Sequence, residues 1–138
     1  MAARSKARKR AVDVLYAADL RGTDWLGMLA QERTSGGPPV NEYTARLVEG
    51  VAGHAAEIDR LVDEHATGWA LERLPDVDRA ILRMAVFELL WEDDVPDAVV
   101  IDEAVTLAKT LSTDDSPAFV NGVLGAIADT KVPGRTAP

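Results

Sequence analysis

Apolar residues recur along most of this chain with the period of an α-helix. Ala7, Ala11, Val14, Leu15 and Ala18 fall at i, i+4, i+7, i+8 and i+11, one stripe of an opening helix. A short helix is expected after Thr23 or Asp24, with Trp25, Leu26 and Leu29 inward. The stretch TSGGPPVN, residues 34–41, pairs two glycines with two prolines and reads as a surface loop. Asn41 suits the N-cap of a long helix with the stripe Leu47, Val48, Val51, Ala55, Ile58 and Val62. Gly68 and Pro75 break the pattern and leave room for a helical turn around Trp69–Leu74.

From Val77 to Trp91 apolar residues surround the helix axis, as in a central, buried helix. Pro96 suits the first turn of the next helix, whose stripe is Val100, Ile101, Ala104, Leu107, Ala108 and Leu111. Ser116 as N-cap and Pro117 at the first helical position open a last helix carrying Phe119, Val120, Val123, Leu124 and Ile127. The ending KVPGRTAP predicts a disordered tail over 131–138. No segment alternates with period two for long. The expected fold is an all-α, single-domain bundle of six or seven helices over residues 1–130.

Composition agrees with a packed core: 47% of the 138 residues are hydrophobic. The chain has no cysteine, which excludes a disulfide framework, a zinc finger and a thiol nucleophile and fits a reducing cytoplasm. No apolar run approaches the roughly 20 residues that span a bilayer, and the N-terminal pattern is amphipathic rather than that of a secretory signal.

Charge changes the picture more. The formal net charge is -8, yet Arg4, Lys6, Arg8, Lys9 and Arg10 open the chain with no acid among them. The rest holds ten cations against 23 acids, a net of -13. An acidic body repels phosphate backbones, so nucleic-acid contact is expected near the front helix.

Signs of catalysis are absent. His54 and His65, the two histidines, lie eleven residues apart on the expected long helix, about 16 Å along its axis, and cannot share a metal. They read as structural. The acid pairs Asp93–Asp94, Asp102–Glu103 and Asp114–Asp115 read mainly as helix caps or solvated charges. No phosphate-binding, dinucleotide or nucleophile-elbow motif occurs. The GVLG at 122–125 lies within a helical stripe; either Gly122 allows a close helix crossing and Asn121 bonds a neighbouring loop, the favoured reading, or both serve a partner.

The front helix is more informative. Arg4 and Arg8 share one face at i, i+4, and Lys9 and Tyr16 another at i, i+7. Such a helix can lay its apolar stripe on the bundle and present its cations outward. Guanidinium forks bind phosphates and an aromatic ring stacks an unpaired base, so single-stranded RNA fits. An acidic protein or a membrane surface fits the same pattern.

Three segments, RKRAVDVLYAADL, LPDVDRAILRMAVFELL and VPDAVVIDEAVTLAKTLSTDDSPAFVNGVLG, together resemble the NusB family of transcription antitermination factors. The resemblance runs in order from about Arg4 to Ile127 and is poor around TSGGPPVN. It implies seven helices in two small subdomains, with no catalysis and no cofactor. It implies binding to a boxA element in nascent ribosomal RNA together with the ribosomal protein NusE, within the RNA polymerase antitermination complex. Family relatives fused to a ribosomal RNA methyltransferase are larger than this chain, so the free factor fits better. The implied RNA-binding residues are Arg4, Lys6, Arg8, Lys9, Arg10, Tyr16, Asp115 and Phe119. Ser5 stands where many relatives are basic, and Pro117 and Ala118 replace a polar loop residue of some relatives. The implied NusE-facing acids are Glu72, Asp76 and Asp78, complementary to a basic ribosomal protein. Some members of the family dimerise, which would bury the RNA face. With three to five phosphates neutralised, the log–log salt slope should be about -2 to -3.5. The rival reading is an acidic interaction module whose N-terminal charges merely solvate it. An opening helix detached from the bundle, or its cations locked against the protein's own carboxylates, would sink the RNA-binding expectation.

Overall fold

The structure, a computed structural model, describes residues 3–66 and 73–135, the last four by their backbone alone. These residues form α1 (Ala3–Arg21), α2 (Trp25–Thr34), α3 (Glu42–Gly53), α4 (Ala55–His65), α5 (Asp76–Trp91), α6 (Asp97–Leu111) and α7 (Ser116–Arg135), with no strand among them. Glu72 and most of the turn expected around Trp69–Leu74 lie outside the described residues.

The run that is apolar on most sides is the central helix. α5 touches α1, α3, α4, α6 and α7, and Ala80–Leu82 and Met84–Leu89 are all buried. α1, α2 and α3 pack together on one side of it, and α6 and α7 on the other. One continuous apolar cluster joins the two groups. The stripe of α1 is buried as expected, from Ala7 to Ala18, and so are Val120, Val123, Leu124 and Ile127 of α7.

The single long helix after Asn41 is two helices. Asn41 caps α3 by accepting the Tyr43 N–H at 2.7 Å. The helix then breaks at His54, whose imidazole stacks on Trp91 with ring centroids 3.9 Å apart. Phe87 lies beside this stack, and a Cβ on Gly50 would overlap the Phe87 ring. The absent side chain at Gly50 lets α3 lie close against α5. Gly122, expected to serve such a crossing, is exposed and nothing lies within 4 Å of where its Cβ would stand. Gly125 is equally open, and Asn121 is exposed on the same part of α7.

Leu26, expected inward, is 47% exposed, and Met28 and Leu29 fill the α2 contact instead. Trp25 sets this rotation: its indole N–H donates to Asp19 at 2.9 Å and Arg83 lies over its ring. α7 continues to Arg135, so residues 131–135, read from the sequence as tail, are helical. Lys131 anchors this end by donating to the Asp97 carboxylate at 2.7 Å and to the Leu89 carbonyl.

Candidate nucleic-acid interface

The five cations at the start of α1, Arg4 to Arg10, point three ways. Arg8 is the correction that matters most: its side chain is 4% exposed and contributes nothing to the surface. Its Nε lies 2.9 Å from both oxygens of Glu88 on α5, and its Nη2 lies 2.6 Å from Glu88 Oε2. The Tyr43 hydroxyl of α3 donates to the same carboxylate at 2.5 Å, and Glu103 of α6 stands 3.4 Å from Arg8 Nη1. Four helices therefore meet at one buried network. Burial would lower the Arg8 pKa, but the hydrogen bond to Glu88 and its charge more than offset this and raise it. Burial and the neighbouring Glu88 push the Tyr43 phenol far above its ordinary range.

Sequence spacing carried this signal. Arg8 lies four residues before Val12 and seven before Leu15, on the buried side of α1. Glu88 is the lone acid inside the apolar run of α5. A cation on one apolar stripe and an acid on another are the signature of a pair that must meet, because neither is stable alone in the core.

Arg4 follows Arg8 toward α3 but stays at the surface. Its guanidinium lies 4.3 Å from the Tyr43 ring centroid and 3.6 Å from Asp94. Arg10 turns toward α2, where it meets Glu32 at 2.9 Å. Lys9 is exposed and pairs with Asp13, whose side chain is about half exposed, at 2.9 Å. Lys6 is exposed and has no partner among the described residues. Exposed ion pairs of this kind are worth about 0–1 kcal/mol, so Arg4 and Lys9 can release their acids to a phosphate. Arg8 cannot.

Lys6, Lys9, Asp13 and Tyr16 occupy one face of α1 at i, i+3, i+7 and i+10, roughly 15 Å of helix. Half-buried Tyr16 brings this line to a groove it shares with Asp13, Pro75, Asp76, Val77, Leu111, Ser112 and Thr113. Across Pro75 and Thr113 a second depression continues, lined by Leu74, Asp78, Asp115, Ser116 and Phe119. Three expected RNA residues, Tyr16, Asp115 and Phe119, thus border one continuous surface although they lie about a hundred residues apart. Pro75 and Thr113, which join the two halves, have no individual signature in the sequence.

The acids assigned to a protein partner separate. Asp78 is 3% exposed and holds the loop between α6 and α7: Ser112 and Ser116 hydroxyls donate to its two oxygens, Ser116 at 2.8 Å. It is an internal tie beneath Asp115 and Phe119 and presents almost no surface to a partner. Half-buried Asp76 pairs with Arg79 and lines the Tyr16 groove, so the two surfaces expected to be distinct adjoin. Glu72 lies outside the described residues. No group of three metal-ligating side chains occurs among the described residues, and no described helix is long and apolar enough to cross a membrane.

The NusB family model matches residues 5–129. The transcription antitermination protein NusB of Saccharopolyspora erythraea is 65% identical over 130 residues, covering 93% of this chain and 88% of its own length. That of Acidothermus cellulolyticus is 60% identical over 127 residues, covering 92% and 88%. Among solved structures, T. maritima NusB superposes with a TM-score of 0.83 at 34% identity over 93% of this chain and 92% of its own. A crystal structure of antitermination factors NusB and NusE in complex with double-stranded RNA gives 0.79 at 32% identity, over 92% of this chain and 96% of that one. The bundle built around α5, the order of its helices and this extent of sequence identity place the chain in the NusB family.

Proposed function

We propose that this chain is a transcription antitermination factor that binds boxA in nascent ribosomal RNA together with NusE and supports processive transcription of ribosomal RNA operons. Identity of 65% over nearly the whole chain to a curated antitermination protein carries the reading. It acts by binding rather than catalysis, in the cytoplasm where transcripts are made. The RNA path runs from Lys6 and Lys9 along α1 to Tyr16 and on to Asp115 and Phe119. Arg4 supplies a further phosphate contact once Asp94 releases it, and Arg10 one once Glu32 does. Asp76 and Glu72 belong to the surface that receives basic NusE.

Three readily available cations set a salt slope of about -2 for single-stranded RNA, the shallow end of the expected range. The chain alone therefore binds RNA weakly, and NusE adds the missing positive charge. A gel-shift series with boxA RNA, with and without NusE and across salt, tests this. NusE should tighten binding, and Lys6→Ala with Lys9→Ala should weaken it and flatten the slope by about 1.4. RNA binding by NusE that is indifferent to this chain would refute the reading. One observation favours the rival interaction module: Arg4, Arg8, Lys9 and Arg10 are each paired with a carboxylate of the chain itself. In that case NusE binds with RNA absent or present alike.

A further inference from the structure

We propose that Arg73 is a phosphate anchor beside the groove, near the junction of its two halves, a role that rests on the RNA-binding reading above. Arg73 is exposed and has no hydrogen bond or ion pair among the described residues. In a chain with 23 acids this is unusual: Arg4, Arg10, Arg33, Arg46, Arg60, Arg79 and Arg83 all reach a carboxylate. Among the described residues the other cations that reach no carboxylate are Lys6, at the head of the RNA path, Arg21 and Lys109. Arg21 and Lys109 have an ordinary explanation, since they lie in the last turns of α1 and α6, where the helix dipole favours positive charge. Arg73 has none of that kind.

Its place in the chain supplies the explanation. Arg73 directly precedes Leu74, which lines the Phe119 depression, and Pro75, which lines both halves of the groove. Consecutive Cα atoms are about 3.8 Å apart, so the backbone of Arg73 stands at the groove rim. The rest of the rim is acidic or apolar: Asp13, Asp76 and Asp115 with Tyr16, Val77 and Phe119. A strand stacked on Tyr16 and Phe119 would meet carboxylates along the groove and need a cation beyond them to hold its backbone. Lys6 and Lys9 serve the Tyr16 end, and Arg73, next to Leu74 and Pro75, serves the side of the Phe119 depression.

Binding of fluorescent boxA RNA to the full chain with NusE, followed by anisotropy across salt, tests the assignment against Arg73→Ala, Arg73→Lys and Lys6→Ala. Arg73→Ala should weaken binding about fivefold at low salt and flatten the slope by about 0.7. Arg73→Lys should keep the slope, because it keeps the charge. Arg73 is exposed, so the thermal midpoint should not move. If Lys6→Ala weakens binding while Arg73→Ala leaves affinity and slope unchanged, the anchor is overturned and the RNA reading stands. Loss of NusE binding in Arg73→Ala without RNA would move Arg73 to the protein interface and equally overturn it. If the parent chain adds nothing to RNA binding, the RNA reading itself fails.

Discussion

Replacing Glu88 by glutamine removes one charge from the buried network and almost no volume. Glu88 and Arg8 are 1% and 4% exposed, so solvent screens neither. Glutamine can still accept the Tyr43 hydroxyl, so the loss is the anion that balances Arg8. Breaking one side of a buried pair costs about 3–5 kcal/mol. Glu103, 3.4 Å away but 30% exposed, partly replaces it and puts the expected loss near the lower end, about 3 kcal/mol. Against a total stability of about 5–15 kcal/mol that is a large fraction, and for a chain of this size it lowers Tm by roughly 10–15 °C. Removing Arg8, Tyr43 and Glu88 together as Arg8→Met, Tyr43→Phe and Glu88→Leu should be much milder, within about 1.5 kcal/mol of the parent, because the one charge that loses its partner, Glu103, is 30% exposed and stays hydrated. Asp13→Asn is the surface control: Lys9 and Asp13 are each about half exposed, and the change should be under about 0.5 kcal/mol. Equilibrium urea unfolding followed by far-UV circular dichroism measures all three. A Glu88→Gln variant within about 1 kcal/mol of the parent would refute the claim that Arg8 depends on this anion.

Gly50→Ala should destabilise by about 1–3 kcal/mol, since its methyl must displace the Phe87 ring from the stack with His54 and Trp91. Gly122→Ala should do the reverse, stabilising by about 0.5–1 kcal/mol, because the site is helical and open and its φ is not positive; thermal melts of the two variants give the signs. The raised pKa of Tyr43 makes stability depend on alkaline pH. The folded state keeps its phenol proton where the unfolded chain loses it, near pH 10, so stability should hold below about pH 10 and fall above it. Urea unfolding across alkaline pH should show that fall in the parent and a flatter limb in Tyr43→Phe; identical limbs would refute it.

The helical periods determined most of this architecture from sequence alone. Stripes such as Ala7–Ala18 and Val120–Ile127 have one low-energy disposition, inward, and a helix apolar on all sides has one place, the centre. Placement within each stripe was harder to read. Arg8 belongs to the buried side by spacing, yet a cation reads as solvent-facing until its counter-ion is located, and Glu88 lies 80 residues away. Asp78 likewise reads as a surface acid until Ser112 and Ser116 are found folded onto it. Leu26 and Gly122 depended on how a helix is rotated and what it crosses, which neighbours set rather than local pattern. The candidate site shows the same division. The sequence pointed to a cationic α1 with Tyr16 as chemistry suited to RNA, and the family resemblance added Phe119. Only packing decided which cations remain free and that Pro75 and Thr113 join the two aromatics into one groove. Hydrophobic periodicity is local and repeated, so it survives in one dimension; charge pairing is between distant residues, and the folded chain alone chooses the partners.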